Sequence, residues 1–120
     1  MKRLLTAAAV LALTPATALA ADMTGVWKID GNFNDMIKYT ITCTIAQTGA
    51  TLAGDCKDDQ GADPKITGSN DGTNTVISYD TTYQGSPVHL DYKGSFQPDG
   101  TLKGEIDTAQ GNGTFVGAKQ

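Results

Sequence analysis

The segment at residues 39–56 reads YTITCTIAQTGATLAGDC and indicates the fold of the whole chain. On its first arm apolar residues alternate with threonines, which is the two-residue period of a strand with one buried face. Gly49-Ala50 then predicts a two-residue turn of type II′, because glycine readily takes the positive φ of the first position. A hairpin with this turn places Cys43 directly opposite Cys56.

The two cysteines of this hairpin are predicted to form a disulfide. Counted outward from the turn, Cys43 and Cys56 fall in a non-hydrogen-bonded pair, whose close α-carbons suit a cross-strand bridge. Two separate buried thiols are the alternative. A bridge of this kind persists in an oxidising compartment, so the pairing also predicts export from the cytoplasm.

The N-terminal residues 1–20 have the three parts of a secretory signal peptide. Lys2 and Arg3 form a basic start, residues 4–13 form an apolar run, and residues 18–20 form a small-x-small cleavage site. The run is too short for a transmembrane helix, and no later stretch approaches that length. We therefore expect cleavage after Ala20 and a periplasmic or secreted protein, with a structured N-terminal helix as the alternative.

Residues 21–120 are predicted to form a single domain of about one hundred residues. Cleavage removes Arg3, the only arginine, and leaves the lysines far outnumbered by thirteen Asp and Glu residues. An acidic domain of this kind is a poor partner for nucleic acid or for an anionic membrane surface. We expect no nucleic-acid binding, no membrane insertion and a monomer.

The remaining chain predicts an all-β fold in which eight strands form an antiparallel up-and-down barrel. Turn signals recur at intervals of roughly ten to fifteen residues, and long helical patterns are absent. The predicted strands are residues 24–30, 36–47, 51–57, 65–69, 73–81, 88–97, 101–108 and 113–119, with loops at 31–35 and 58–64.

An internal similarity suggests two related halves of four strands each. The sequence at residues 47–55 resembles that at residues 97–105, and the same offset aligns Val26 with Val76. Two four-strand meanders that close on each other would make an eight-stranded barrel. Chance similarity between β-hairpins is the alternative.

The predicted sixth strand shows which side chains face the interior. Val88, Leu90, Tyr92, Gly94 and Phe96 share one face, whereas the opposite face is polar and charged. A lipid-facing barrel could not carry that polar face outward. The apolar faces therefore form the interior of the predicted barrel.

A ligand pocket is the leading hypothesis for this interior. Several inward positions are glycines, which either leave space for a small ligand or make room for strand coiling and aromatic rings. Phenol hydroxyls need partners when they are buried, and three of them near one barrel opening would make a polar rim. The predicted ligand-binding residues are Tyr39, Ile41, Tyr79, Leu90, Tyr92 and Phe96.

Catalytic and metal-binding patterns are not found in the sequence. His89 is the only histidine and is predicted on the outer face of its strand, so no transition-metal cluster can form around it. Neither a nucleophile elbow nor a phosphate-binding loop occurs. Asp58, Asp59 and Asp63 could hold calcium, or could simply form a solvated acidic loop. We predict no enzyme activity, no cofactor and no bound metal.

The sequence Thr24-Gly25-Val26-Trp27 resembles the Gly-x-Trp opening of the calycin barrels, the lipocalins and avidins. The resemblance implies an eight-stranded up-and-down barrel, in which the tryptophan closes the bottom and the open end holds a small, usually apolar ligand. The chain also looks like the small periplasmic barrels that inhibit secreted metalloproteases, which share the Gly-x-Trp start and one disulfide.

Three functions therefore follow as hypotheses. The leading one is an exported binding protein for a small apolar or amphipathic ligand. The alternatives are a periplasmic protein-binding module, such as a hydrolase or protease inhibitor, and a structural envelope protein with a packed core. An interior void above roughly 300 Å³ would favour the first hypothesis, and a filled core would count against it.

Overall fold

The computed structural model describes residues 22–120, so the predicted signal peptide lies outside the described residues. This part of the chain folds into eight strands that pair in chain order and close into an antiparallel barrel, which confirms the predicted fold class. The strands are β1 (Gly25–Phe33), β2 (Ile37–Thr48), β3 (Thr51–Asp58), β4 (Lys65–Asn70), β5 (Asn74–Tyr83), β6 (Ser86–Phe96), β7 (Leu102–Thr108) and β8 (Gly111–Lys119). Nothing in the described part of the chain forms an apolar helix of membrane-spanning length.

The two ends of the barrel have different residues and connections, and we call them the base and the mouth. The base is the end with Trp27 and the connections at residues 49–50, 71–73 and 97–101. The mouth is the end with the connections at residues 34–36, 59–64, 84–85 and 109–110.

The β2–β3 hairpin has the predicted turn and pairing. Cys43 is the register partner of Cys56, and the two are joined by a disulfide with their α-carbons 4.0 Å apart. Gly49 has a φ of 63°, and it is the only one of the two turn residues with a positive φ. These values confirm the type II′ turn and the cysteine pair that local sequence predicted.

The base is closed by buried side chains and a small set of hydrogen bonds. The indole nitrogen of Trp27 donates to the Met23 carbonyl at 2.9 Å, and both side chains are buried. The ring of Phe96 meets that of Trp27 edge to face, with centroids 6.1 Å apart. The Gln47 side-chain oxygen accepts from the Met23 amide at 2.9 Å and from the Asn70 side chain at 3.0 Å. Met23, two residues before β1, thus seals this end.

The inward glycines bring strands and aromatic rings close together. Gly94 and Gly104 face each other across β6 and β7, and a methyl group on Gly104 would lie 1.9 Å from the Lys93 carbonyl oxygen. A methyl group on Gly94 would lie 2.8 Å from the ring of Phe115. Inward glycines could leave space for a ligand or let strands and rings pack closely. Around Gly94 and Gly104 the structure supports close packing.

The two similar segments occupy corresponding places in the barrel. Leu52 and Leu102 are both buried near the base, and Gly54 and Gly104 follow them on the inward face of β3 and β7. The structure therefore puts the aligned residues at matching positions, as two related halves would require.

Two predicted interruptions are shorter than the sequence suggested. β1 continues to Phe33 through most of the predicted loop at 31–35, and β5 and β6 leave only Gln84 and Gly85 between them. Both of these turn residues have positive φ, 52° and 83°, as a two-residue type I′ turn requires. The predicted strands 73–81 and 88–97 left residues 82–87 between them, but Pro87 is paired with Thr82 inside the ladder.

Candidate functional site at the mouth of the barrel

Three predicted ligand residues converge inside the barrel near the mouth. The Tyr92 hydroxyl is the centre of the cluster: it lies 2.8 Å from the Tyr79 hydroxyl and also contacts the Tyr39 hydroxyl. The rings of Tyr79 and Tyr92 stack with centroids 5.6 Å apart. The phenols satisfy each other, so the cluster joins β2 to β5 and β6 across the barrel interior.

The other predicted ligand residues divide between the two ends. Leu90 is the register partner of Tyr79 and is buried beside the cluster, and Ile41 is the next inward residue after Tyr39 on β2. Phe96, in contrast, packs against Trp27 at the base. Because β6 spans the barrel, inward residues at its two ends share a face but not a site, and Phe96 is separate from the tyrosine cluster.

Burial keeps the three phenols neutral. Loss of solvent raises the pKa of Tyr79 and Tyr92 well above the ordinary value of 10.0. The Tyr39 phenol raises the pKa of both further, and Tyr79 also raises that of Tyr92. Burial also raises the pKa of Tyr39. The hydroxyls therefore act as hydrogen-bond donors and acceptors at neutral pH, and not as bases.

Asp58 is placed differently from the solvated loop position predicted for it. It is the last residue of β3 and the register partner of Ile41, which puts it on the inward face at the mouth. Its carboxylate accepts the amides of Gln60 at 2.9 Å and Ala62 at 2.8 Å, and this fixes the following loop. The described residues contain no cluster of His, Cys, Asp and Glu that could hold a metal ion.

The interior of the barrel is filled by side chains. The buried hydrophobic residues expose between 0% and 6% of their surface, whereas a ligand-sized void would leave its walls accessible. A concavity of about 380 Å³ beside β1 and β8 is lined mainly by polar residues such as Asn32 and Thr114. A second, of about 620 Å³, extends along β1 and β8 to β2 and β7, and its lining includes Tyr39 and Phe115. The packed interior lends no support to the expected apolar pocket, which stays a prediction.

An exposed apolar rim surrounds the mouth, and sequence reasoning did not single it out. Met36 exposes 86% of its surface, Tyr83 49% and Ile37 40%. Phe33 and Val88 are half-buried at the same end of the barrel, and we call these five residues the apolar rim. In the sequence, the rim residues are apolar residues next to turn residues. Strand prediction places them at strand ends or in connections, which does not mark them as a surface site.

The rim is carried by two hairpins that are longer than their neighbours. The β5–β6 ladder continues to Tyr83 and Ser86, whereas the β4–β5 ladder stops at Ser78 and the β6–β7 ladder stops at Asp91. Residues 79–90 therefore project as a two-stranded ribbon, which we call the β5–β6 ribbon.

His89 lies on the outer face of this ribbon, as predicted, but it is held between two carboxylates. Its Nδ1 is 2.7 Å from Asp80 and its Nε2 is 3.1 Å from Asp91. The hydrogen bond to Asp80 raises the pKa of His89 above 6.5, and the charge of Asp91 adds to this effect. The Ser78 hydroxyl donates to the Asp91 carboxylate and not to the imidazole of His89.

Protonation of His89 is expected to stabilise the fold below neutral pH. Because its pKa is raised in the folded state, the added stability is complete below 6.5 and is lost as pH rises through the folded pKa. The His89 pKa should be measured by NMR titration and should fall in Asp80→Asn. The difference in thermal midpoint between the natural chain and His89→Gln should shrink between mildly acidic and alkaline pH; a constant difference would contradict the carboxylate pairing.

Tyr92→Phe is expected to cost about 1–3 kcal/mol of unfolding free energy. The change removes the central hydroxyl and leaves that of Tyr79, which is only 6% exposed, without this partner. Tyr39→Phe is the matched control: Tyr79 and Tyr92 keep their contact, so its loss should stay below about 1 kcal/mol. Urea unfolding of both variants tests this order, and equal losses would show that the centre of the cluster has no special role.

The chain was compared with protein-family models, with curated proteins and with solved structures, and nothing matched in any of the three. The closed eight-stranded antiparallel barrel agrees with the architecture that the Gly25-x-Trp27 opening implies. Trp27 is buried at the base, where that resemblance places it.

Proposed function

We propose that this chain is an exported binding protein that holds a partner protein at the mouth of the barrel. The observation that carries the proposal is the apolar rim, whose most exposed member is Met36. Apolar residues exposed together at one end of a folded domain favour an interaction site, because exposing them to water has a free-energy cost that a partner removes. The packed core supports recognition by the surface and not by the interior.

The charge around the mouth favours a basic partner. Asp35, Asp59, Asp63 and Asp80 lie at the mouth. Lys38 and Lys65 lie there too, but each is paired with an aspartate. Opposite charges on a partner would speed encounter and orient it, while the apolar rim would provide contact area. A partner surface that combines apolar residues with lysine or arginine fits this end of the barrel.

Two features support export. A disulfide such as Cys43–Cys56 persists in oxidising compartments, and residues 1–20 have the pattern of a signal peptide. A protein-binding barrel in the periplasm or outside the cell would also suit the calycin-like opening. Membership of the calycin family is part of the same proposal.

The proposal is tested by photo-crosslinking in cells that produce the protein. A photoreactive residue at Met36 should give a defined protein adduct, whereas the same residue at exposed Thr73 in the base should not. A probe at Tyr83 should lose its adduct when Met36→Glu is added, because the change disrupts the rim. Met36 is 86% exposed, so this substitution should leave the thermal midpoint unchanged.

Two outcomes of the crosslinking experiment would contradict the proposal. Matching adducts from Met36 and Thr73 would show non-specific contact. Absence of adducts at both positions in the folded, exported protein would favour a structural envelope protein. Either result would overturn the proposed binding function.

A further inference from the structure

We infer that the partner binds by β-strand addition: an extended basic segment pairs with the outer edge of β5 at Asp80 and Thr82. The inference rests on the proposed function and specifies how the mouth recognises its partner. Strand addition supplies main-chain hydrogen bonds along an exposed edge, and side-chain contacts then give specificity.

The first step is that β5 continues beyond the end of its ladder with β4. Its ladder with β4 stops at the pair of Thr67 and Ser78, although β5 continues to Tyr83. Residues 79–83 thus pair with β6 on one side only. An edge of this kind presents a row of main-chain donors and acceptors to another chain.

The second step is the direction of these main-chain groups. The type I′ turn at residues 84–85 makes Tyr83 and Ser86 a hydrogen-bonded pair, and the pairs then alternate along the ribbon. Asp80 and Thr82 therefore belong to non-hydrogen-bonded pairs, and their N–H and C=O groups point away from β6. Their spacing of two residues is that of an extended chain, which can bond to both residues at once.

The third step is that the opposite edge of the ribbon is blocked. Pro87 is the partner of Thr82, so its nitrogen points to the outer edge of β6, but proline has no N–H to offer there. Proline on an edge strand is a common protection against pairing. Residues 79–83 of β5 contain no proline, which leaves β5 as the edge open to pairing.

The fourth step is the chemistry of the segment that would bind. The Asp80 side chain is 84% exposed and shares its charge only with His89 on the ribbon. The loop at residues 59–64 leads into β4, the neighbour of this edge, and contributes Asp63 near Lys65. Lys65 is already paired with Asp55 at 2.6 Å. The surroundings of the edge are acidic, so lysine or arginine in the added strand would be favoured.

The test uses a short synthetic peptide that alternates lysine with valine and threonine. Nitrogen-15 NMR of the intact folded domain should show that the amides of Asp80 and Thr82 exchange at least about tenfold more slowly with peptide bound. Thr82→Pro removes an edge N–H and should weaken binding at least about tenfold, whereas Thr82→Val keeps the N–H and should bind like the natural chain. A peptide with glutamate in place of lysine should bind more weakly.

A second peptide experiment tests the same pairing on the natural chain, in case Thr82→Pro does not fold. N-methylation of the alternate peptide amides that would face β5 should abolish binding to the natural chain, and methylation of the other amides should not. Binding that is insensitive to Thr82→Pro and to N-methylation, or the absence of amide protection, would overturn strand addition. Rim-dependent crosslinks at Met36 and Tyr83 would still stand in that case, so the two proposals fail separately.

Discussion

Gly104→Ala is expected to lower the free energy of unfolding by about 3 kcal/mol, at the upper end of what overpacking usually costs. The added carbon would lie 1.9 Å from the Lys93 carbonyl oxygen and 2.5 Å from the Gly94 α-carbon. Both are main-chain atoms, so β6 and β7 must separate to accept it. Urea unfolding followed by tryptophan fluorescence measures the loss, since Trp27 is the only tryptophan.

Gly117→Ala is the matched control for this prediction. It also faces the interior, but its added carbon would meet its nearest atom, on Ile29, at 3.5 Å, an ordinary contact distance. We expect a change below about 1 kcal/mol. Similar losses in the two variants would show that the interior resists any added volume and that the β6–β7 approach is not special.

Removal of the disulfide is expected to cost about 3 kcal/mol, the value that chain entropy gives for a closed loop of this length. The double variant Cys43→Ala/Cys56→Ala and the reduced natural chain should both melt at lower temperature than the oxidised chain. Reductant should leave the double variant unchanged, which separates loss of the bridge from any other effect of the reagent. An identical melting temperature for oxidised and reduced chains would show that the bridge contributes nothing.

The candidate site was only partly predictable from the sequence. The inward parity of Tyr39, Tyr79 and Tyr92 followed from strand alternation, and the structure brings their hydroxyls together. Alternation could not separate Phe96 from them, because parity gives the face of a side chain but not its height in the barrel. Height depends on the stagger between strands, which is set by pairing along the whole wall.

The projecting ribbon shows a second limit. A Gln-Gly-Ser-Pro sequence is typical of a loop between strands. Here Gln84 and Gly85 form a two-residue turn, and Pro87 lies in the β5–β6 ladder. That difference moves Thr82, on the open edge of β5, and Tyr83, in the apolar rim, from a predicted interruption onto a regular strand. Local composition did not indicate it, because proline fits a strand only where its nitrogen faces away from the paired neighbour.

By itself, the sequence determined the features that depend on neighbours within one hairpin. The β2–β3 turn, the facing of Cys43 and Cys56, and the inward side of each strand follow from a period of two and the φ of one glycine. Only the tertiary structure decided that the interior is filled and that β5 and β6 outreach the strands beside them. Those properties depend on the stagger between all eight strands and on the total volume of the side chains inside the barrel. Neither quantity can be read from a single stretch of sequence.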